Sequence, residues 1–182
     1  AAVIGLGFDA VTKAIGDSTD VFAANDNGPR QVVISGLADA IEKVKPDLMQ
    51  AGARRVIPLK VSGPFHTPLM ADAAALFGEA LSKIQFSPFV KPCFSNVTGQ
   101  LFPSAAEISG LLLKQLVSPV RWTQIMENLG NLAEEQSLNA AVEAGPGSVL
   151  AGLWKNSGSQ MQCYSADTSE KIETLLEMIG RL

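Results

Sequence analysis

The chain has 182 residues, 47% of them hydrophobic and 18% charged, with a net charge of −4. This length allows one substantial core, or a small domain plus part of a larger one, and the composition excludes a disordered chain. The acidic balance leaves no basic footprint for nucleic acid, so an acidic partner would have to meet a local basic patch.

The chain opens on Ala1-Ala2-Val3-Ile4-Gly5-Leu6, an apolar strand pattern with no initiator Met, and the expectation is that sequence precedes it. Phe8, Val11 and Ile15 space a short helix over residues 8–15. Residues 21–25 and 31–35 read as strands around the turn Asp26-Asn27-Gly28-Pro29. Residues 37–50 read as a helix with a Gly52 C-cap, kinked or split at Pro46. Residues 54–61 read as a further strand. The order β-α-β-β-α-β predicts a ferredoxin-like unit over residues 1–61.

The pattern then changes. Leu69, Ala73, Leu76, Ala80 and Ile84 recur at helical spacing, and residues 90–96 read as a short strand entering the loop Ser95-Asn96-Val97-Thr98-Gly99. Ser104 and Glu107 predict a capping box ahead of a helix over 108–116, which Ser118-Pro119 breaks. A helix over 123–132, a strand over 138–143, the turn Ala144-Gly145-Pro146-Gly147, a helix over 148–155 and a strand over 161–165 follow. Asp167 with Glu170 predicts the cap of a last helix running to Arg181. Strands alternating with helices predict a parallel α/β sheet of about three strands over residues 62–182. Parallel sheets are normally covered on both faces and leave no open edge, so this second unit reads as part of a larger one.

Cys93 and Cys163 lie far apart and lack metal-ligand spacing. Strand-like neighbours predict buried free thiols in a reducing compartment. No apolar run has membrane-spanning length and no secretory leader pattern is present, which makes the cytoplasm the expected location.

His66 is the only histidine, inside Val61-Ser62-Gly63-Pro64-Phe65-His66-Thr67-Pro68-Leu69-Met70. A Gly-Pro turn before it and a helical pattern after it make a constrained corner, a suitable mount for a general base. Either a carboxylate or a backbone carbonyl could fix its other ring nitrogen. No serine stands in a Gly-x-Ser-x-Gly context; Ser148 reads as a helix N-cap. Gly145-Pro146-Gly147 is open to two readings, an anion site at a helix N-terminus or a tight turn, and the turn is favoured. Asn25 and Asn27 are turn residues or polar groups facing a cleft, with turn chemistry favoured for Asn27; Ser95-Asn96 is equally open. Arg121-Trp122 is a cation–π pair, a helix end or a partner contact.

Five ordered segments resemble one family: Ala24 to Gly36, the histidine segment Val61 to Met70, Ser95 to Gly99, Gln115-Leu116-Val117-Ser118-Pro119-Val120-Arg121-Trp122, and Glu143-Ala144-Gly145-Pro146-Gly147. The chain is similar to the malonyl-CoA:acyl carrier protein transacylases of fatty acid synthesis and the acyltransferase domains of polyketide synthases. The resemblance implies an α/β-hydrolase-like large subdomain, incomplete here, with a ferredoxin-like small one. It implies a ping-pong transfer of malonyl from coenzyme A through a serine ester to the phosphopantetheine thiol of acyl carrier protein. His66 matches the base and Gln115 the residue whose main-chain carbonyl holds it. Phe65 and Asn25 are the candidate substrate-binding residues; the Phe65 ring would narrow the acyl pocket towards malonyl. The family's nucleophile serine, the arginine for the malonyl carboxylate and the oxyanion glutamine have no counterpart in these residues, so the chain alone is expected to be inactive. No cofactor or metal is implied, since the coenzyme A thioester is the substrate. Lys60, Lys114, Arg121 and Lys155 are candidate docking cations for the acidic carrier protein. A thioester hydrolase of the same fold, or a non-catalytic module binding a carrier protein or nucleotide, are the alternatives.

Overall fold

The computed structural model describes residues 1–179, so the expected end of the last helix at Arg181 lies outside the described residues. The chain forms two compact units that divide after Ile125, inside α5 (Trp122–Glu135). Among the described residues no helix is long and apolar enough to cross a membrane.

The first unit begins β1 (Ala2–Ile4), α1 (Phe8–Ile15), β2 (Val21–Gly28), β3 (Gln31–Gly36), α2 (Ala38–Gln50) and β4 (Arg55–Ile57). With β5 (Val120–Arg121) these strands form one sheet in the order β4-β1-β3-β2-β5. β1 lies antiparallel to both β3 and β4, β2 is antiparallel to β3, and β5 adds parallel to β2 through Asn25↔Val120 and Asp26↔Arg121. Val3, Val32 and Ile34 from the sheet, Val11 from α1 and Leu48 from α2 are all but sealed from solvent and form one core. The apolar period of each helix explains this: a single stripe turns inward and the charged remainder faces water.

Four local expectations need correction here. The turn is Pro29-Arg30 and not Asp26 to Pro29: β2 runs on to Gly28, which pairs with Gln31, because register shifts between Ala23 and Asn25 and between Asp26 and Gly28 absorb two extra residues. β4 stops at Ile57, since Pro58 has no N–H to continue a ladder. α2 runs unsplit through Pro46. The proline removes one intrahelical bond, and burial of Val44 and Leu48 on either side keeps the helix whole. Residues 90–96 form no strand, only the single bridge Phe94↔Leu101; Pro88 and Pro92 remove the donors a strand would need.

Beyond β4 the first unit holds a short 3-10 turn at Pro68–Met70, α3 (Ala71–Leu81), a second 3-10 turn at Ala105–Glu107 and α4 (Ile108–Val117). Ser104 stands at the N-cap of that second turn but makes no side-chain cap bond, so the expected capping box does not form; both Ser104 and Glu107 are exposed to water.

The second unit contains β6 (Ala140–Ala144), α6 (Val149–Trp154), β7 (Gln162–Ala166) and α7 (Ser169–Ile179). β6 and β7 form a two-stranded parallel sheet in continuous register from Ala140↔Gln162 to Ala144↔Ala166. The cap of α7 is Thr168, whose Oγ1 accepts from the Lys171 N–H. Asp167 is instead held by the Lys171 ammonium at 2.6 Å, which keeps its carboxyl below the usual range.

The thiols also depart from expectation. Cys93 is exposed and Cys163 half-buried. The irregular backbone around Cys93 leaves it outside any sheet. Burial first, and the Glu143 carboxylate second, push the Cys163 thiol up. A disulfide reagent at neutral pH should therefore label Cys93 well before Cys163; mass spectrometry of the labelled peptides at early times reads the order.

Candidate active site

His66 stands in the left-handed region, at φ 63°. A non-glycine residue there costs on the order of 1–3 kcal/mol. The next residue holds the corner: Thr67 is fully buried, and its Oγ1 donates to the Pro64 carbonyl at 2.6 Å. Pro68 then starts the 3-10 turn with its φ already set. Nothing in composition or periodicity marks Thr67 as the lock; it was missed because a lone threonine carries no pattern.

The ring is half-buried and points to α4. Nδ1 lies 2.9 Å from the main-chain oxygen of Gln115, 49 residues later. It is a carbonyl, not a carboxylate, that faces this nitrogen. A hydrogen on Nδ1 donates to that oxygen and leaves the lone pair on Nε2 free to take a proton. The carbonyl is available because Gln115 sits in the last turn of α4, where carbonyls have no intrahelical partner. The Gln115 side chain also returns to the ring: Nε2 is 3.1 Å from Nδ1 and donates to the Ser118 carbonyl at 3.2 Å.

His66 borders a cleft of about 300 Å³ whose walls include Phe8, Ile15, Phe22, Val117 and Pro119. No ionisable side chain other than His66 lines it among the described residues. Such a mostly apolar wall, with the imidazole and the hydroxyls of Thr12 and Ser18 as its polar side chains, suits a ligand with an uncharged arm.

The structure distributes the other candidates. Phe65 is 44% exposed, and a side chain placed at Gly63 would meet its ring at 3.5 Å. Asn25 lies on β2 between β3 and β5, in register with Val33 and Val120. Neither lines the cleft beside His66. Asn27 lies in the same strand, next to the second register shift. Ser95 is buried, and its Oγ accepts from the Val97 N–H; the Asn96 carbonyl accepts from the Arg121 N–H at 2.9 Å, which ties this loop to β5. Arg121 Nε donates to the Val97 carbonyl, and Trp122 opens α5, so this pair marks a helix start. Lys60, Lys114 and Arg121 are exposed on the first unit and Lys155 on the second.

Gly145 and Gly147 both take positive φ, 136° and 89°, which only a tight turn requires. The N-terminus of α6 is already occupied: the Glu143 carboxylate accepts from the N–H groups of Leu150 at 3.0 Å and Ala151 at 2.8 Å. The turn reading therefore stands and an external anion does not fit. Ser148 takes the N-cap position without a side-chain cap bond, because Glu143 does that work. Glu143→Ala should cost about 0.5–2 kcal/mol, read as a lower denaturant midpoint, with Glu143→Gln recovering part of it.

No family model matches the chain. It is similar over 183 residues, at 34% identity, to the malonyl CoA-acyl carrier protein transacylase of Bacillus subtilis, covering 98% of this chain and 56% of that protein. A crystal structure of malonyl-CoA:acyl carrier protein transacylase from Xanthomonas oryzae superposes with TM-score 0.87 at 33% identity, covering 97% of this chain and 56% of that one. A malonyl-transacylase in complex with its type II polyketide synthase acyl carrier protein superposes with TM-score 0.88 at 34% identity, with coverage of 97% and 57%. The chain spans about half the length of the curated relatives it matches. Over that span the chain is similar, in sequence and in mixed α/β fold, to malonyl-CoA:acyl carrier protein transacylases.

Proposed function

We propose that the protein to which these residues belong transfers malonyl from coenzyme A to the phosphopantetheine thiol of an acyl carrier protein. The observation that carries this reading is the His66 Nδ1 contact with the Gln115 carbonyl at the edge of an apolar cleft. In the proposed cycle His66 Nε2 takes the proton of a serine hydroxyl supplied from outside these 182 residues. The serine oxygen attacks the thioester carbonyl, the carbon–sulfur bond breaks, and the thiolate leaves with the proton from His66. The second half runs in reverse, with the carrier thiol as the attacking group. The Gln115 carbonyl favours the imidazolium that forms in each half. No cofactor takes part. Without the attacking oxygen the 182 residues alone are inactive.

We assign Phe65 to narrowing of the acyl pocket, supported by its place beside the base; one methyl group is discriminated by only about 1–3 kcal/mol. Asn25 is assigned to the substrate side on its position in the sheet, and Lys60, Lys114, Arg121 and Lys155 to carrier docking on their exposure.

We read residues 1–61 as a ferredoxin-like small subdomain, which the antiparallel order β4-β1-β3-β2 supports. Residues 62–182 are read as part of an α/β-hydrolase-like large subdomain. The parallel β6–β7 pair supports this, since two strands alone cannot cover their faces: Val142 of β6 is 49% exposed.

The deciding experiment offers malonyl-CoA and carrier protein to a protein spanning the relatives' full length. Loading of the carrier thiol should outrun release of malonate to water. Release without loading would establish the hydrolase instead, and binding without either reaction would establish a non-catalytic module.

A further inference from the structure

Gln115 offers two opposite groups to one atom. Its main-chain oxygen accepts and its side-chain Nε2 donates, at 2.9 and 3.1 Å from His66 Nδ1. A single ring nitrogen carries either a hydrogen or a lone pair, so the two bonds exclude each other. With hydrogen on Nδ1 the ring donates to the carbonyl. With hydrogen on Nε2 of the ring, the bare Nδ1 accepts from the Gln115 amide.

The amide is held in this orientation. Its nitrogen also donates to the Ser118 carbonyl at 3.2 Å. Turned over, the amide would set an oxygen against that carbonyl, two acceptors face to face. The side chain keeps this orientation although its Oε1 is buried with no hydrogen-bond partner among the described residues. An unmet buried acceptor is unfavourable, so the two nitrogen contacts outweigh it.

The charged residues on the elements that border the cleft do not line it. Lys13 on α1, Asp72 on α3 and Lys114 on α4 are exposed, as are Asp17 and Asp20 between α1 and β2. Asp26 on β2 accepts from the Thr123 hydroxyl at 2.7 Å.

We propose that the Gln115 side-chain amide is a positioning group that holds the resting His66 ring partly in the tautomer with hydrogen on Nε2. This rests on the reading of His66 as the base. In that tautomer the ring cannot accept a proton on Nε2. Exchange to the active tautomer moves one proton off Nε2 and one onto Nδ1 through solvent, and the ring swaps the amide for the carbonyl without leaving its place. The main-chain carbonyl alone would hold only the active form; the side chain makes the site two-positioned.

In a protein spanning the full length of the relatives, ¹⁵N-labelled at histidine, the ring nitrogen shifts of His66, assigned as those lost in His66→Asn, report its tautomer ratio at a pH well above the ordinary imidazole range. Gln115→Met removes the donor and leaves the main-chain carbonyl in place. It should shift the ratio towards hydrogen on Nδ1 by about three- to tenfold. Gln115→Glu, nearly the same shape, supplies an acceptor and should shift it further in the same direction; it also covers the case in which the methionine variant does not fold. An unchanged ratio in the folded variants, or a wild-type ring wholly in the Nδ1–H form, overturns the proposal and leaves the base reading intact. Conversely, full malonyl transfer by a His66 variant would dismiss the base reading and leave the measured ratio standing.

Discussion

His66→Ala, made in a protein spanning the full length of its relatives, should lower malonyl transfer by about 10²–10⁴-fold. In its active tautomer the ring donates from Nδ1 to the Gln115 carbonyl and leaves Nε2 for a proton, beside a cleft whose wall holds no other ionisable group among the described residues. Among the described residues no second base lines that cleft to take over. The backbone complicates the choice of variant, because position 66 has φ 63°. Alanine tolerates that region no better than histidine, whereas asparagine enters it more readily. His66→Asn therefore removes the base while sparing the corner, and should lose the same factor with an unfolding temperature close to wild type. The transfer rate is read by carrier loading from malonyl-CoA. Wild-type-like loading by the asparagine variant would remove His66 from the chemistry.

The largest expected effect on stability is at Leu48. Its side chain is fully buried between α2 and the sheet, within the cluster of Val3, Val11, Val32 and Ile34. Leu48→Ala should destabilise by about 2–5 kcal/mol, the sum of lost transfer free energy and the cavity left behind. Met49, the next residue of the same helix, is 49% exposed, and Met49→Ala should stay within about 0.5 kcal/mol. Urea unfolding followed by circular dichroism separates the two through their midpoints at constant slope. Equal effects would mean that α2 does not present this face to the core.

Helices were legible where a single apolar stripe ran their length. Phe8, Val11 and Ile15 bound α1 with both ends in place, and residues 108–116 were out by one at α4. Strands carried by a short apolar run were legible too: β1, β6 and β7 lie within the expected segments to a few residues, although their partners are distant in sequence. The β2–β3 hairpin was expected, although its turn moved to Pro29-Arg30, because bulges are decided by how two strands meet and leave no mark in either one. β5 went unseen: two residues become a strand only because Asn25 and Asp26 lie alongside. Residues 90–96 erred in the opposite direction, with strand-like side chains and no partner.

The candidate site divides in the same way. His66 was conspicuous from residue type and from the Gly-Pro corner, and the resemblance pointed to Gln115. The Thr67 lock, the Gln115 amide and the Glu143 cap were not visible, since each is a single polar group whose use depends on what folds against it.

The sequence by itself determined which segments are helical, that one imidazole is the candidate base, and which family the motifs resemble. Those follow from side-chain type and short-range spacing, which do not depend on the rest of the chain. The tertiary structure alone decided the strand order, the partner of Nδ1 and the occupant of the α6 N-terminus. Each is a pairing between groups distant in sequence or set by a turn's shape. Hydrogen bonds are decided over a few tenths of an ångström, a precision that only the packed core supplies.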